Sequence, residues 1–185
     1  MTDVIRQIYS AHSKFSDFGP SDPGDPRIRQ IGRLVGTGKR VLDIGCSLGN
    51  TTAHIRACGN EVVGIDVAEP FLAACRAKGI ECYSCNIETE DLPVIGTFDV
   101  VVMTEFFEHL IDPLIALGTV RRLVRPGGKL VISTINCAYI KYRFELAMGR
   151  LPNFGENCAM NDPVRPYNLH HKSLFTIPNF VKTLH

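Results

Sequence analysis

A glycine-rich segment, VLDIGCSLG at residues 41–49, has the residue types of a ligand-binding loop and carries the carboxylate Asp43 at its mouth. Glycine lets the backbone approach a ligand closely, and free N–H groups at the start of a following helix bind anions. A pyrophosphate beside Asp43 would place like charges together in a poorly screened site. The spacing of Gly45, Ser47 and Gly49 also departs from the G-x-G-x-x-G pattern of nicotinamide dinucleotide sites. The loop therefore favours a zwitterion that presents a cation to Asp43.

S-adenosylmethionine has this chemistry, because it carries an ammonium, a carboxylate and a sulfonium but no phosphate. Asp66 lies seventeen residues after Gly49. Its carboxylate can accept both ribose hydroxyls, as an acidic residue about twenty residues on does in dinucleotide folds. Asn86 could bond to the adenine edge, with Val67 and Ile87 on the two faces of the ring. The alternative role for Asp66 is a helix N-cap.

Candidates for the chemistry of methyl transfer follow the fourth predicted strand. Transfer from a sulfonium is an in-line displacement that needs alignment in a dry site, and an oxygen nucleophile also needs a base. Glu108 and His109 lie on the side where the methyl group should point. His171, beside His170, lies in a long segment that could cover the site. His109 has an equal alternative role, in which it bonds to the backbone and fixes the turn.

Strand and helix patterns alternate along the chain. This alternation predicts an α/β fold, a doubly wound, Rossmann-like and mostly parallel sheet with helices on both faces. Asp43, Asp66, Asn86 and Glu105 fall at or just after strand ends, where such sheets bind ligands. The alternative is that these four residues are independent polar caps at the ends of their strands, with no shared ligand. The expected strands are 40–44, 61–65, 81–85, 98–103 and 129–135, with helices at 50–58 (capped by Asn50 or Thr51), 69–78 and 112–124.

Composition limits the classes of function. Twenty basic and nineteen acidic residues give a net charge of +1, so no general attraction to nucleic acid or anionic membranes is expected. No leader and no long apolar run is visible, so we expect a cytoplasmic protein without an integral membrane segment. The seven cysteines are expected to be reduced and buried, and not to form disulfides. Cys82 and Cys85 lack the second ligand pair that zinc needs, and no carboxylate cluster has convincing spacing, so no metal is expected.

Four ordered motifs carry a resemblance to a known family. From about residue 39 to 136 the sequence resembles the class I S-adenosylmethionine-dependent methyltransferases. Within that class, EFFEHLIDP and STIN resemble the ubiquinone-biosynthesis O-methyltransferases and the methionine-biosynthesis MetW-like proteins. The motifs are VLDIGCSLGN, VVGIDVAEPFL, FDVVVMTEFFEHLIDP and LVRPGGKLVISTIN.

The resemblance implies a set of cofactor contacts. It places Thr104 or Glu105 facing the cofactor and Tyr9, in the N-terminal segment, closing over it. Ser47 replaces the glycine usual in the first motif, and no loss is expected because serine is small. The other implied contacts are Asp43, Gly45, Cys46, Ser47, Gly49, Asp66 and Asn86, the last standing where many relatives have aspartate.

The expected organisation has three parts, namely a helical and loop segment at 1–30 over the site, an S-adenosylmethionine-binding core at 31–136, and a substrate side at 137–185. In the last part, FELAM at 144–148 is expected to pack in the core or line a lipophilic pocket. No segment predicts the strand pair that closes the family's sheet, so the chain is expected to be truncated or to be completed by a partner. The fifth strand is then expected to be an exposed edge through which a homo-oligomer could form.

These features lead to one principal expectation about function. The chain is expected to be a methyltransferase that uses S-adenosylmethionine, yields S-adenosylhomocysteine, and methylates a small-molecule acceptor at a hydroxyl oxygen. The alternative is an S-adenosylmethionine-binding subunit without catalysis of its own. An oxidoreductase is disfavoured by Asp43 and the glycine spacing.

Overall fold

The computed structural model describes residues 25–89, 93, 95–150, 152 and 173–184. Within these residues, strands and helices alternate through most of the chain, as the sequence predicts. The elements are α1 (Pro26–Val35), β1 (Arg40–Ile44), α2 (Asn50–Ala57), β2 (Glu61–Asp66), α3 (Glu69–Ala77), β3 (Glu81–Ser84), β4 (Phe98–Thr104), a 3-10 turn (Phe107–His109), α4 (Pro113–Leu123), β5 (Val124–Ser133), α5 (Ile140–Ala147) and α6 (Ile177–Thr183).

The five strands form one sheet in the order β3–β2–β1–β4–β5. Every neighbouring pair is parallel. The order reverses between β1 and β4, so the carboxyl ends of those strands flank a crevice of the kind in which doubly wound sheets bind ligands. The expected α/β architecture with a parallel sheet is confirmed.

Alternation along β1 divides the core between the two faces of the sheet. Leu42 and Ile44 belong to the larger cluster, which α4 covers. Val41 belongs to the cluster on the other face, which α1 and α2 cover. Asp43 lies two residues after Val41 and therefore points to the same face of the sheet, so its side chain enters the layer beneath α2. The sheet therefore has helices on both faces, and it buries one carboxylate with its apolar residues.

Three phenylalanines join the turn after β4 to the C-terminal helix. Phe107 lies with its ring centroid 5.3 Å from those of both Phe175 and Phe180, and the latter two rings are 5.6 Å apart. Ser173 N also donates to the backbone oxygen of Glu108 at 3.1 Å. Residues 173–184 are thus packed on the turn that carries the catalytic candidates.

One expected helix cap was wrong. Helix α2 has Gly49 as its N-cap, in a left-handed conformation, instead of Asn50 or Thr51. Helix α1 is capped by Asp25, whose side chain accepts from Arg27 N, and it runs through residues 30 and 31. The expected division of the chain into three parts stays a prediction.

Strand β5 also differs from the expectation, because it starts at Val124 and not at Lys129. A register shift between Phe98 and Val100 accommodates the extra residues beside β4. Gly128 lies so close to β4 that an added Cβ would be 2.9 Å from Asp99 O, which explains why a glycine stands there.

Helix α5 was expected to pack in the core, and this expectation was wrong for the described residues, since none of its residues is buried. Phe144 is 68% exposed. Strand β5 pairs with β4 and forms one edge of the described sheet. Association through this edge stays a prediction. Among the described residues, no helix combines the length and apolar character needed to cross a membrane.

Candidate functional site

The glycine loop after β1 is fixed to the end of β2 by its own backbone. Gly45 N and Cys46 N both donate to Ile65 O, at 2.8 and 3.1 Å. Gly45, Ser47 and Gly49 have φ of 75°, 46° and 74°, so left-handed residues alternate along the loop. This conformation turns the chain sharply from β1 into α2.

Packing beneath the loop leaves little free volume. A Cβ added to Gly64, inside β2, would be 2.9 Å from the sulfur of Cys46. A Cβ added to Gly49 would be 2.8 Å from the sulfur of Cys75. Cys46 and Cys75 are buried with their sulfurs 3.8 Å apart. The side chain of Cys46 therefore points into this cluster, and the part of the residue left to meet a ligand is its backbone.

Asp43 lies beneath the loop, and not open at its mouth, with only 1% of the residue exposed. The hydroxyl of Thr52, in α2, donates to Asp43 Oδ2 at 2.6 Å. Asp43 Oδ1 is buried without a hydrogen-bond partner among the described residues. Burial raises the pKa of Asp43 to about 7, the Thr52 bond opposes the rise, and the charge of Asp66 adds to it. The unpartnered oxygen requires a donor or a cation from outside the described chain.

Asp66 connects the loop to the start of α3. Its Oδ2 accepts from Ser47 N and its Oδ1 from Ala68 N, both at 2.9 Å. Each carboxylate oxygen has a second lone pair, so these bonds leave acceptor capacity for two hydroxyls. Burial raises the pKa of Asp66, and the backbone bonds from Ala68 and Ser47 oppose that rise. The carboxylate is thus oriented by the loop that it supports.

The residues expected around adenine occupy different environments. Asn86 is buried, and its Oδ1 accepts from Glu88 N at 3.0 Å. Ile87 is buried in the larger core cluster. Val67 is half-buried at the end of β2. Contacts of these three residues with an adenine ring stay predictions.

The turn after β4 begins with a strained residue. Thr104, half-buried, ends β4, and Glu105 follows with φ of 49°. Glu105 N donates to Ser133 O at 3.0 Å, and the Ser133 hydroxyl donates to Glu105 Oε1 at 2.7 Å. The next residue, Phe106, packs against the glycine loop, because a Cβ added to Gly45 would be 2.2 Å from its ring. The structure thus brings the ends of β1, β4 and β5 together.

Glu108 is a buried carboxyl group beside this turn, with 1% of the residue exposed. The Thr134 hydroxyl, just after β5, donates to Glu108 Oε2 at 3.0 Å. Glu108 Oε1 has no hydrogen-bond partner among the described residues. Burial raises the pKa of Glu108 to about 7, and the charge of Glu105 adds to the rise. His109 is half-buried at the end of the same turn.

Several functional features escaped the sequence analysis. Thr52, Phe106 and Thr134 each contact a site residue. Phe106 and Thr134 lie within the quoted motifs without being singled out, and Thr52 lies outside them. Tyr9, His170 and His171 lie outside the described residues. Over the described ranges, no group of three or more His, Cys, Asp and Glu side chains is arranged to hold a metal ion.

The arrangement fits S-adenosylmethionine. Oδ1 of Asp43, which has no partner among the described residues, can take a donor from the amino-acid end, and Asp66 can accept from the ribose. Glu108 lies beyond β4, where a second molecule could meet the methyl group.

Comparison with known proteins agrees with this fit. Residues 21–176 match the family described as Methyltransferase domain. The ubiquinone biosynthesis O-methyltransferase of Aromatoleum aromaticum is 36% identical over 137 residues, which cover 70% of this chain and 58% of that protein. The counterpart from Pseudomonas aeruginosa is 37% identical over 131 residues, covering 65% and 56%. This chain thus spans little more than half the length of these curated relatives.

A solved structure gives the same assignment. An S-adenosylmethionine-dependent methyltransferase from Mesorhizobium loti superposes with a TM-score of 0.55 at 28% identity, over 65% of this chain and 56% of that one. With the family match covering most of the chain, the conclusion is direct. The chain belongs to the methyltransferase domain family and has the class I, S-adenosylmethionine-dependent fold.

Proposed function

We propose that this chain transfers a methyl group from S-adenosylmethionine to a hydroxyl oxygen of a small molecule. The observation that carries the proposal is Glu108, a buried carboxyl group in the turn after β4 with one oxygen that no described residue pairs. The Aromatoleum and Pseudomonas relatives are named as O-methyltransferases, which supports oxygen as the acceptor atom. A phenol is the first acceptor class to test, because its hydroxyl can be deprotonated by a base of near-neutral pKa.

The chain's own residues would hold the cofactor at the loop. S-adenosylmethionine supplies the methyl group on a positively charged sulfur. Asp66 is oriented by Ser47 N and Ala68 N to accept from ribose hydroxyls. Asp43, held by Thr52, has its second oxygen available for the ammonium. Pairing with that cation would lower the pKa of Asp43 and keep the group ionised.

Glu108 would act as the base. Thr134 fixes Oε2, so Oε1 is the oxygen that can accept the proton of the acceptor hydroxyl. With a pKa of about 7, the carboxyl is half ionised near neutral pH, which suits proton transfer. His109 is the second candidate, through its imidazole, and His171 is a third from outside the described residues.

Two single substitutions test the binding and catalytic parts separately. Binding of S-adenosylhomocysteine would be measured by calorimetric titration and methylation would be measured with a panel of phenols. Asp66→Ala should abolish binding in a folded protein. Glu108→Gln should bind normally but lose about 100-fold or more in kcat, the typical share of a general base.

The pH profile separates the base from a structural role. The wild-type rate should rise with pH through about 7 as Glu108 loses its proton. His109→Asn is the matched control, since it removes the other candidate from the same turn. A Glu108→Gln enzyme that keeps the wild-type rate and profile would rule Glu108 out as the base.

A cofactor-binding subunit without catalysis is the second candidate. The observation that favours it is α5, where the N-cap Tyr139 and the apolar residues Ile140 and Phe144 are exposed and could pack against a partner. Tight binding of S-adenosylhomocysteine with no methylation of any acceptor would favour this role.

A further inference from the structure

We propose that the ring of Phe106 recognises the positive charge on the sulfur of the cofactor, and thereby sets the preference for S-adenosylmethionine over its neutral product. The inference rests on the proposed function, since it takes the glycine loop as the cofactor site. It adds a specificity-determining residue outside the expected contacts.

The first support is the contact between Phe106 and the loop. A Cβ added to Gly45 would lie 2.2 Å from Cδ2, 2.7 Å from Cγ and 3.0 Å from Cε2 of the ring. The ring therefore lies directly on the backbone of Gly45. Phe106 is only partly buried at the carboxyl end of the sheet, although it also packs against the larger core cluster. A ligand seated on the loop would therefore lie beside Phe106.

The second support is the backbone that positions the ring. Glu105 adopts a φ of 49°, which is unfavourable for a residue with a side chain. Ser133 holds it there by accepting from Glu105 N and donating to Glu105 Oε1. Such strain persists where surrounding contacts enforce it, and it concentrates at ligand-binding sites. Here the strained turn directs Phe106 to the loop and the next residue, Phe107, to the C-terminal aromatic cluster.

The third support is the chemistry of the two ligands. S-adenosylmethionine and S-adenosylhomocysteine share the amino acid, ribose and adenine groups, so Asp43 and Asp66 meet the same partners in both. The ligands differ at the sulfur, which carries a methyl group and a positive charge only in the substrate. The face of an aromatic ring attracts a cation more strongly than it attracts the sulfur of a neutral thioether.

Calorimetric titration with both ligands tests the inference. Removal of the ring in Phe106→Leu should weaken S-adenosylmethionine binding by about 5- to 20-fold more than S-adenosylhomocysteine binding, the range expected of a cation–π contact. Loss of apolar contact alone would weaken both ligands by the same factor. The ratio of the two Kd values therefore isolates the charge on sulfur.

Three further variants make the result decisive. Phe106→Tyr keeps the ring and should keep the wild-type ratio, whereas Phe106→Met, which fills the site with an unbranched and more adaptable side chain, should change it as Phe106→Leu does. Phe144→Leu makes the same substitution as the first variant on the exposed face of α5 and should leave the ratio unchanged.

The possible failures are distinguishable. An unchanged ratio in folded Phe106→Leu and Phe106→Met would overturn the role of the ring while leaving the proposed function standing. Failure of the folded wild-type protein to bind either ligand would overturn the proposed function itself, and this inference with it.

Discussion

Ser47 has a backbone conformation that serine seldom adopts. Its φ of 46° lies in the left-handed region, where a Cβ costs about 1–2 kcal/mol. The sequence analysis expected no loss from serine at this position because serine is small. That reasoning considered the volume of the side chain, whereas the structure shows that the requirement is conformational.

Ser47→Gly should therefore stabilise the protein. The relief of left-handed strain exceeds the extra entropy of glycine in the unfolded chain, so the free energy of unfolding should rise by about 0.5–1 kcal/mol. Urea unfolding monitored by circular dichroism measures it. Ser84→Gly, in β3 and without a positive φ, is the matched control and should destabilise. An equal loss of unfolding free energy in Ser47→Gly and Ser84→Gly would contradict the strain at Ser47.

Single residues also show where sequence reasoning reaches its limit. Asp43 was identified because it lies at the start of a glycine loop, and Asp66 because an acidic residue at the end of the second strand can accept from ribose hydroxyls. The partner of Asp43, Thr52, could not be identified, because a hydroxyl in a helix gives no sign of the direction in which it points. The left-handed conformation of Glu105 likewise leaves no trace in its residue type.

The glycine loop and the turn after β4 act as two elements in contact, and one substitution tests that contact. Gly45→Ala adds a Cβ that would overlap the ring of Phe106. Overpacking of this kind adds about 1–3 kcal/mol of destabilisation to the cost of left-handed strain. The variant should therefore unfold at a lower urea concentration and lose affinity for S-adenosylhomocysteine.

Gly38→Ala is the matched control for this substitution. Gly38 has a φ of 66°, close to that of Gly45, but an added Cβ would meet nothing within 4 Å. It should show the strain cost alone. If both variants lose the same free energy of unfolding, the contact between the Phe106 ring and the glycine loop contributes nothing to stability.

At the scale of strands and helices the sequence predicted most elements well, because apolar runs and the turn residues between them indicate local structure. It predicted the start of β5 poorly. Arg125, Pro126 and the two glycines that follow are typical of a turn, and in the structure they form an irregular stretch of β5 opposite Asp99. The expected core role of α5 was wrong for a related reason, since an apolar helix face does not identify what covers it.

The stability of the whole molecule should depend on pH through its buried carboxyl groups. The pKa of Asp43 is raised to about 7 in the folded protein from an ordinary value near 4. Between these values the folded state keeps the proton that the unfolded state releases. The ligand-free protein should therefore lose stability as pH rises from about 4 through 7, with Glu108 contributing in the same direction.

Asp43→Asn measures this contribution, because asparagine resembles the protonated acid and can still accept from Thr52. The loss of stability between pH 5 and pH 7.5 should shrink by about 2 kcal/mol. Urea unfolding at both pH values gives the difference in the free energy of unfolding. The double variant Asp43→Asn/Glu108→Gln should reduce the dependence of stability on pH further. If the stability of Asp43→Asn fell with pH as steeply as that of the wild type, Asp43 would be ionised in the folded protein.

Gly64 and Cys46 share one small volume between β2 and the loop. A larger residue at 64 fits only with a smaller residue at 46, so the two positions should change together as the lineage of this sequence diverges. The evolutionary constraint on the binding loop thus extends to a buried position inside β2.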